Sequence, residues 1–187
     1  MPAEKREALI CNPPMEQWDS LVLQAGDGIS RIDGINMPNL RYLDTRQNPL
    51  VALPYNDLVG LTSMDVAGNQ LQMLDLCRMP NLTTVQAGSS STLTSVDAHG
   101  HMSLADLDIA DCPLLTQLNI FGCAALEEIV ASSCGFDEAM VDQILADVMA
   151  NGLEAGVLFL DGNSPPSESG MDLVNELTEL DWVVVTD

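Results

Sequence analysis

Residues 104–131 decide the fold, and they read LADLDIADCPLLTQLNIFGCAALEEIVA. One pattern occurs three times in this stretch, with leucine at its first position and apolar residues at its fourth and sixth. The copies are Leu104-Leu107-Ile109, Leu115-Leu118-Ile120 and Leu126-Ile129-Ala131. They start 11 residues apart, at 104, 115 and 126. A fixed spacing of this kind indicates a protein built from stacked repeats.

The same pattern continues towards the N-terminus. Further copies start at Leu71, Leu82 and Leu93, and earlier ones at Trp18, Ile29, Leu40, Leu50 and Leu61. Alternate starts are therefore 21 or 22 residues apart. Apolar positions 4 and 6 enclose a polar position 5, which is typical of a short strand, and turn-forming residues separate the segments. We expect a coil with two flat sides, whose turns bury their apolar residues only against neighbouring turns.

The repeat resembles the leucine-rich-repeat family, in the short bacterial form whose halves both read Leu-x-x-Leu-Asp-x. The match is close in residues 61–69 (LTSMDVAGN) and 40–44 (LRYLD), and it covers about 18–135. The family's Asn/Cys position is occupied by Asn48, Asn69, Ser90, Cys112 and Cys134, while Ser90 and Met79 depart from asparagine. The resemblance implies an α/β fold: a leucine-rich-repeat-like solenoid of about six turns with short stacked strands.

A different pattern follows residue 135. It predicts a helix after Asp137 that ends at Asn151-Gly152, a strand at 157–160, a helix opened by Pro165-Pro166-Ser167, and a strand at 182–185. In the second helix we expect Met171, Val174, Leu177 and Leu180 to face inward. We interpret these elements as an α/β cap over one end of the coil. One continuous domain is predicted, with an N-terminal arm or cap at 1–17, the solenoid at 18–135 and the cap at 136–187.

Charge excludes several classes of partner. The 187 residues include 6 Lys+Arg against 28 Asp+Glu, so the formal net charge is −22, and every basic residue precedes position 79. Binding to nucleic acid or to an anionic membrane requires a basic surface, so we expect neither. No apolar run approaches the roughly 18 residues of a membrane span, and the first residues lack a secretory apolar segment. The acidic surface is open to two interpretations, cation binding and adaptation to salt.

Residues 136–187 resemble a cap found in leucine-rich-repeat segments of tailed-phage structural proteins and related environmental bacterial proteins. The resemblance implies a virion-associated or surface role, and we predict a non-enzymatic structural protein, such as a phage capsid decoration or tail component. Such a protein would assemble in the host cytoplasm, in several copies or as an oligomer, on a capsid or tail protein. The alternative is a cytoplasmic or cell-surface bacterial leucine-rich-repeat module that binds a protein through its sheet.

The candidate binding residues lie mainly at the N-terminal end, which carries all of the positive charge. Protein interfaces usually centre on aromatic and arginine side chains. We therefore predict that this end docks on the partner and that Phe121 is a further anchor on the second side of the coil. The predicted binding residues are Arg31, Arg41, Tyr42, Asp44, Arg46 and Phe121.

The cysteines follow the repeat. Cys112, Cys123 and Cys134 are 11 residues apart, so the repeat spacing alone accounts for them as buried thiols at turn positions. A disulfide between Cys112 and Cys134 is also geometrically possible, because equivalent positions in successive turns lie about 5 Å apart. The odd count of five cysteines favours the reduced form.

Two polar groups could carry chemistry. Asp75, Cys77, Asp97 and His99 are expected to stack on one side of the coil, where such side chains can bind a transition metal. His101 falls at a turn position and can occupy the asparagine slot. Stacked aspartates resemble catalytic carboxylate pairs, yet they occur at the family's own Asp position. We therefore predict no catalytic residue, no metal and no cofactor.

Overall fold

Short strands recur along the chain in the computed structural model, which describes residues 9–10, 18–33 and 39–187. Within these ranges the strands are β1 (Leu9–Ile10), β2 (Ser20–Val22), β3 (Ile32–Asp33), β4 (Tyr42–Asp44), β5 (Ser63–Asp65), β6 (Met73–Asp75), β7 (Thr84–Gln86), β8 (Ser95–Asp97), β9 (Asp106–Asp108), β10 (Gln117–Asn119), β11 (Glu128–Val130), β12 (Gly156–Phe159) and β13 (Trp182–Val185). The α-helices are α1 (Glu138–Ala150) and α2 (Glu168–Glu179), and single 3-10 turns cover Tyr55–Asp57 and Leu76–Arg78. The predicted α/β class is confirmed.

The strands form two larger sheets and one separate pair. The main sheet has eight strands in the order β13-β12-β11-β9-β7-β5-β4-β2, the second sheet has the order β10-β8-β6, and β1 pairs with β3. The described pairs are all parallel, so successive turns run in the same direction. The turn count and the three domain ranges stay predictions. The predicted N-terminal arm lies outside the described residues, apart from β1.

The core lies between the two sheets and is mainly aliphatic. In the three-residue strands the middle residue is buried, as alternation along a strand requires. Val85, Leu107 and Ile129 meet in register on adjacent strands and are fully or almost fully buried. The leucines that open successive repeats precede these paired positions by three residues and are also buried: Leu82, Leu104 and Leu126. The repeat spacing therefore places equivalent residues in one interior column.

Polar side chains close the turns after the main-sheet strands. Asn69 Nδ2 donates hydrogen bonds to the carbonyl oxygens of Thr45 and Val66, both at 2.9 Å, and Asn69 Oδ1 accepts one from the Leu50 N–H at 3.1 Å. Equivalent side chains bond to the backbone of the preceding turn in the same way. We call this column the first ladder, and its members are Asn48, Asn69, Ser90, Cys112, Cys134 and Asn163. It satisfies buried backbone groups that strand pairing leaves free.

A second ladder closes the turns after the second-sheet strands. His101 Nε2 lies 3.0 Å from the carbonyl oxygen of Met79, and the Leu104 N–H donates to His101 Nδ1 at 3.1 Å. The Cys123 thiol lies 3.0 Å from the Ala98 carbonyl oxygen in the preceding turn. The last member, Asn151, donates to the Ile120 carbonyl oxygen and accepts from the Gly122 N–H. His101 thus occupies the asparagine slot, as the sequence predicts.

Helix α1 lies beside β10, in the position where a further strand of the second sheet would otherwise follow. It begins after Asp137, whose carboxylate accepts a hydrogen bond from the Met140 N–H at 2.9 Å, and it packs against β10. Helix α2 packs against α1 and β13. No helix in the described ranges has the length and apolar character that crossing a membrane requires.

The predicted inward stripe of α2 is wrong at both ends. Met171 and Leu180 are 42% and 38% exposed, whereas Leu177 is fully buried. Gly170 sets the rotation of the helix, because it is buried so closely against α1 that a Cβ there would collide with Asp142. The buried side of α2 is therefore formed by Gly170, Leu173, Val174 and Leu177.

Candidate functional site

The outer side of the main sheet carries the side chains that alternate with the buried ones. We call this surface the main-sheet face. Its members run from β2 to β13: Ser20, Val22, Tyr42, Asp44, Ser63, Asp65, Thr84, Gln86, Asp106, Asp108, Glu128, Val130, Val157, Phe159, Val183 and Val185. Because neighbouring strands pair in register, these side chains form one continuous surface. It has three parts: an N-terminal part around Arg46, an acidic middle part and an apolar C-terminal part.

At the N-terminal part, one arginine bridges two aspartates. Arg46 lies 2.7 Å from the Asp44 carboxylate and 3.6 Å from that of Asp65. Burial, together with the neighbouring carboxylate of Asp44, raises the pKa of Asp65, while the Ala67 N–H and Arg46 lower it. Burial also raises the pKa of Tyr42, and Asp44 and Asp65 raise it further. The positive charge of Arg46 is thus already compensated within the chain.

The structure brings only some of the predicted binding residues together. Tyr42, Asp44 and Arg46 share this part of the main-sheet face. The Arg41 guanidinium instead turns to the carbonyl oxygens of Leu40 and Gly60, both at 3.2 Å. The other two residues lie elsewhere: Arg31 precedes β3, and Phe121 follows β10 on the second side. Their role in binding stays a prediction.

Several aspartates of the repeat have a backbone role. Asp44, Asp65, Asp97 and Asp108 each accept a hydrogen bond from the N–H two residues further on, at 3.0–3.1 Å. A side chain that bonds its own backbone in this way stabilises the exit from a strand. Local structure therefore explains why aspartate recurs at this position of the repeat, although the carboxylates still give the surface its charge.

The middle part of the main-sheet face is acidic. Asp106, Asp108 and Glu128 lie on adjacent strands around a shallow depression of about 200 Å³. Thr84 Oγ1 donates a hydrogen bond to Asp106 Oδ2 at 3.2 Å. The residues lining the depression include no lysine, arginine or histidine. This part therefore has a negative charge without a compensating cation from its own lining.

The C-terminal part is apolar, which sequence reasoning missed. Val130, Phe159 and Val185 stand side by side in register, and Val157 and Val183 form the neighbouring row. Val183 is 55% exposed on β13, which forms one edge of the main sheet. The sequence did carry a signal for this apolar part, since every residue in 157–160 and 182–185 is apolar. A strand with only one buried side has apolar residues at every second position, so a continuous apolar run places apolar side chains on the outer side as well.

The four side chains considered in the sequence as transition-metal ligands, Asp75, Cys77, Asp97 and His99, do not form a metal site. Across the described ranges, no three His, Cys, Asp or Glu side chains are placed to hold a metal ion. The Cys77 thiol points instead at the carbonyl oxygens of Asp97 and His99, at 3.8 and 3.4 Å. The His99 ring stacks on Phe121 with a centroid distance of 5.9 Å.

The four cysteines that the structure describes are free thiols. The Cys134 thiol lies 3.3 Å from the Ile109 carbonyl oxygen, one turn away. Burial raises the pKa of Cys134 to about 12 and that of Cys123 to about 11. Burial also raises the pKa of Cys112 and of Cys77, and Asp97 and Asp75 raise that of Cys77 further.

We predict that alkylation separates these thiols by accessibility. In the native protein at pH 8, iodoacetamide should modify Cys77 well before Cys112, Cys123 or Cys134, because only Cys77 is exposed. Peptide mapping by mass spectrometry follows each cysteine separately, and the urea-unfolded protein is the control in which all react at similar rates. Modification of Cys134 as fast as Cys77 in the folded protein would contradict the described packing.

Comparisons with known proteins show the fold. No family model and no curated protein matches the chain. Among solved structures, it is similar to an internalin, InlF, from Listeria monocytogenes, with 15% identity over 86% of this chain and 50% of that one, and a TM-score of 0.58. The functional domain of InlJ from the same species, which includes a cysteine ladder, matches at 18% identity over 83% of this chain and 41% of that one, with a TM-score of 0.42.

This chain therefore spans half or less of the length of these two structures. Neither is a phage protein, so the virion-associated role and the phage resemblance of residues 136–187 stay predictions from the sequence. The predicted leucine-rich-repeat-like fold is supported, since the similarity to InlF covers most of the chain.

Proposed function

We propose that this chain is a protein-interaction module that binds a basic protein partner through its main-sheet face. The observation that carries the proposal is the position of the acidic part beside the apolar part on one continuous sheet surface. Complementary charge guides and orients association, while burial of apolar side chains supplies affinity. The acidic part of the main-sheet face provides the complementary charge, and the adjacent apolar part provides the side chains that a partner can bury.

The charge distribution supports a cationic partner. Asp106, Asp108 and Glu128 meet no arginine or lysine in the lining of their depression, and the chain carries a net charge of −22. Val157, Phe159 and Val183 continue the surface on the next two strands. A partner segment that presents basic residues followed by apolar ones matches this order. Tyr42 and Arg46 extend the same surface in the other direction.

A narrower form of the proposal concerns the setting in which the module acts. The resemblance of residues 136–187 to phage caps supports a virion component, in which the predicted N-terminal docking end is a contact separate from the main-sheet face. Stoichiometry tests this form: a structural component occurs at a fixed copy number in purified particles. A bacterial module that binds another bacterial protein is the alternative, and absence from particles favours it.

A peptide selection tests the proposed surface. Peptides selected from a random display library should combine basic and apolar residues, and their binding should weaken by at least about tenfold in the double variant Asp106→Lys, Glu128→Lys. The matched control is Asp172→Lys with Glu176→Lys on exposed positions of α2, which makes the same change in net charge. The control should bind like the wild type. Equal weakening in both variants, or none in the first, would show that this face is not the binding surface.

A further inference from the structure

A groove lies on the other flat side of the coil, between the second sheet and α1. Its volume is about 590 Å³, within the range of sites that hold small molecules or short peptide segments. The outer side chains of β6, β8 and β10 form its floor, and one stripe of α1 forms its wall. The groove exists because a helix, which is wider than a strand, continues the second sheet after β10.

Large apolar side chains are exposed at this groove. Phe121 is 51% exposed and Met73 is 63% exposed, and both line it. The His99 ring stacks on Phe121 with an interplanar angle of 14° and restrains that ring. Met140 adds a second thioether from α1. Exposed apolar groups that converge on one concavity indicate a binding surface more strongly than scattered ones do.

The polar groups of the groove are carboxylates and amides. Asp97 and Asn119 are register partners on β8 and β10. On α1, Asp147 is only 5% exposed and accepts a hydrogen bond from Gln143 Nε2 at 2.7 Å. Burial raises the pKa of Asp147, while Gln143, the Ile120 N–H and the charge of His99 lower it. None of the residues that line the groove is basic.

We propose that this groove binds the guanidinium group of an arginine side chain in a peptide segment of another protein. A planar guanidinium stacks on an aromatic ring such as that of Phe121 and donates hydrogen bonds in its plane to a carboxylate such as that of Asp97. The amide oxygen of Asn119 is an additional acceptor, and Met73 offers contact to the methylene stem. Lysine provides neither the planar stacking nor the paired donors.

The inference is separate from the proposed function, because the main-sheet face and the groove lie on different sheets. The probe is the capped tripeptide Ala-Arg-Ala, with Ala-citrulline-Ala as its neutral isostere and Ala-Lys-Ala as the alternative cation. Titration calorimetry at about 150 mM salt, where long-range attraction is screened, measures affinity. Methyl NMR of Met73 and Met140 reports where the peptide binds. We expect the arginine peptide to bind most tightly, with shifts at both methionines, and the citrulline peptide not to bind.

Matched variants separate the groove from general attraction to an acidic protein. Asp97→Asn should weaken binding by about tenfold, whereas Asp172→Asn at an exposed position of α2, outside both the groove and the main-sheet face, should leave it unchanged. Asparagine can accept the backbone hydrogen bond that Asp97 accepts, so this variant retains the fold. Phe121→Leu should also weaken binding.

Three results would overturn the inference: no binding of the arginine peptide, equal binding of the citrulline peptide, or equal losses in the two aspartate variants. A loss confined to Asp172→Asn would overturn it as well. If the selected peptides bound the main-sheet double variant as tightly as the wild type while the arginine peptide still bound in the groove, only the proposed function would be overturned.

Discussion

Replacement of Asn69 by leucine is expected to lower the free energy of unfolding by about 3–5 kcal/mol, because it leaves the buried Leu50 N–H and Val66 carbonyl oxygen without partners. The Thr45 carbonyl oxygen keeps the hydrogen bond from Asn48 Nδ2. The Asn69 amide donates to the carbonyl oxygens of Thr45 and Val66 and accepts from the Leu50 N–H. Leucine branches at Cγ as asparagine does, but it is bulkier and its side chain forms no hydrogen bond. Urea unfolding followed by circular dichroism measures the change.

Two further variants make this result specific. Asn81→Leu is the matched control, because Asn81 is exposed and donates a single hydrogen bond, to the Val59 carbonyl oxygen. Its replacement should change stability by no more than about 0.5–1 kcal/mol. Asn69→Cys should fall between the two, since Cys112 and Cys134 serve at equivalent positions. If Asn69→Leu and Asn81→Leu were equally mild, the first ladder would not stabilise the coil.

Replacement of Leu107 by alanine is expected to destabilise the protein by about 2–5 kcal/mol, through loss of buried apolar surface and creation of a cavity. Leu107 is 1% exposed, and its strand is paired on both sides, with Val85 and Ile129 as register partners. Backbone hydrogen bonds on both sides oppose collapse around the missing atoms. The effect should therefore lie in the upper part of that range.

The control for Leu107 is Leu114→Ala in a turn. Leu114 is 53% exposed, so its truncation should change stability by about 0.5 kcal/mol or less. Both variants are measured in urea alongside the wild type. Similar losses at the two positions would mean that Leu107 does not contribute to a packed core between the sheets.

The repeat predicts the strands because its information is local. Alternation of buried and exposed residues is a property of a few neighbouring positions, and Leu107 and Leu118 mark the strand centres by their spacing alone. The Asp137 cap of α1 is also local, since the acceptor and the Met140 N–H are three residues apart. These features could be read before any contact between distant residues was known.

Features that depend on packing between elements escaped prediction. The spacing of Met171 and Leu180 suits an inward stripe, yet the close approach of Gly170 to α1 rotates α2 and exposes both. Asn163 continues the first ladder 29 residues after Cys134, because α1 interrupts the repeat without interrupting the column. Gly170 and Asn163 are visible in the sequence, but their roles depend on how close the elements that carry them pack in the folded protein.

The candidate sites show the same limit. The cluster of arginines in the sequence predicted a basic docking end. In the structure, however, Arg46 forms ion pairs with Asp44 and Asp65, which neutralise its charge within the chain. Phe121 was identified as exposed and aromatic. Its neighbours on α1, Gln143 and Asp147, could not be assigned to the same groove, because only the packing of α1 against β10 brings them there.

The shared register of the main sheet has a consequence for how such a chain can change in evolution. Because β5, β7 and β9 pair without offset, duplication or excision of one whole unit leaves every remaining strand with a matching neighbour. A single inserted residue within a strand instead turns its aliphatic side towards water. Gene lineages that carry this architecture should therefore differ in the number of units far more readily than in the length of any strand.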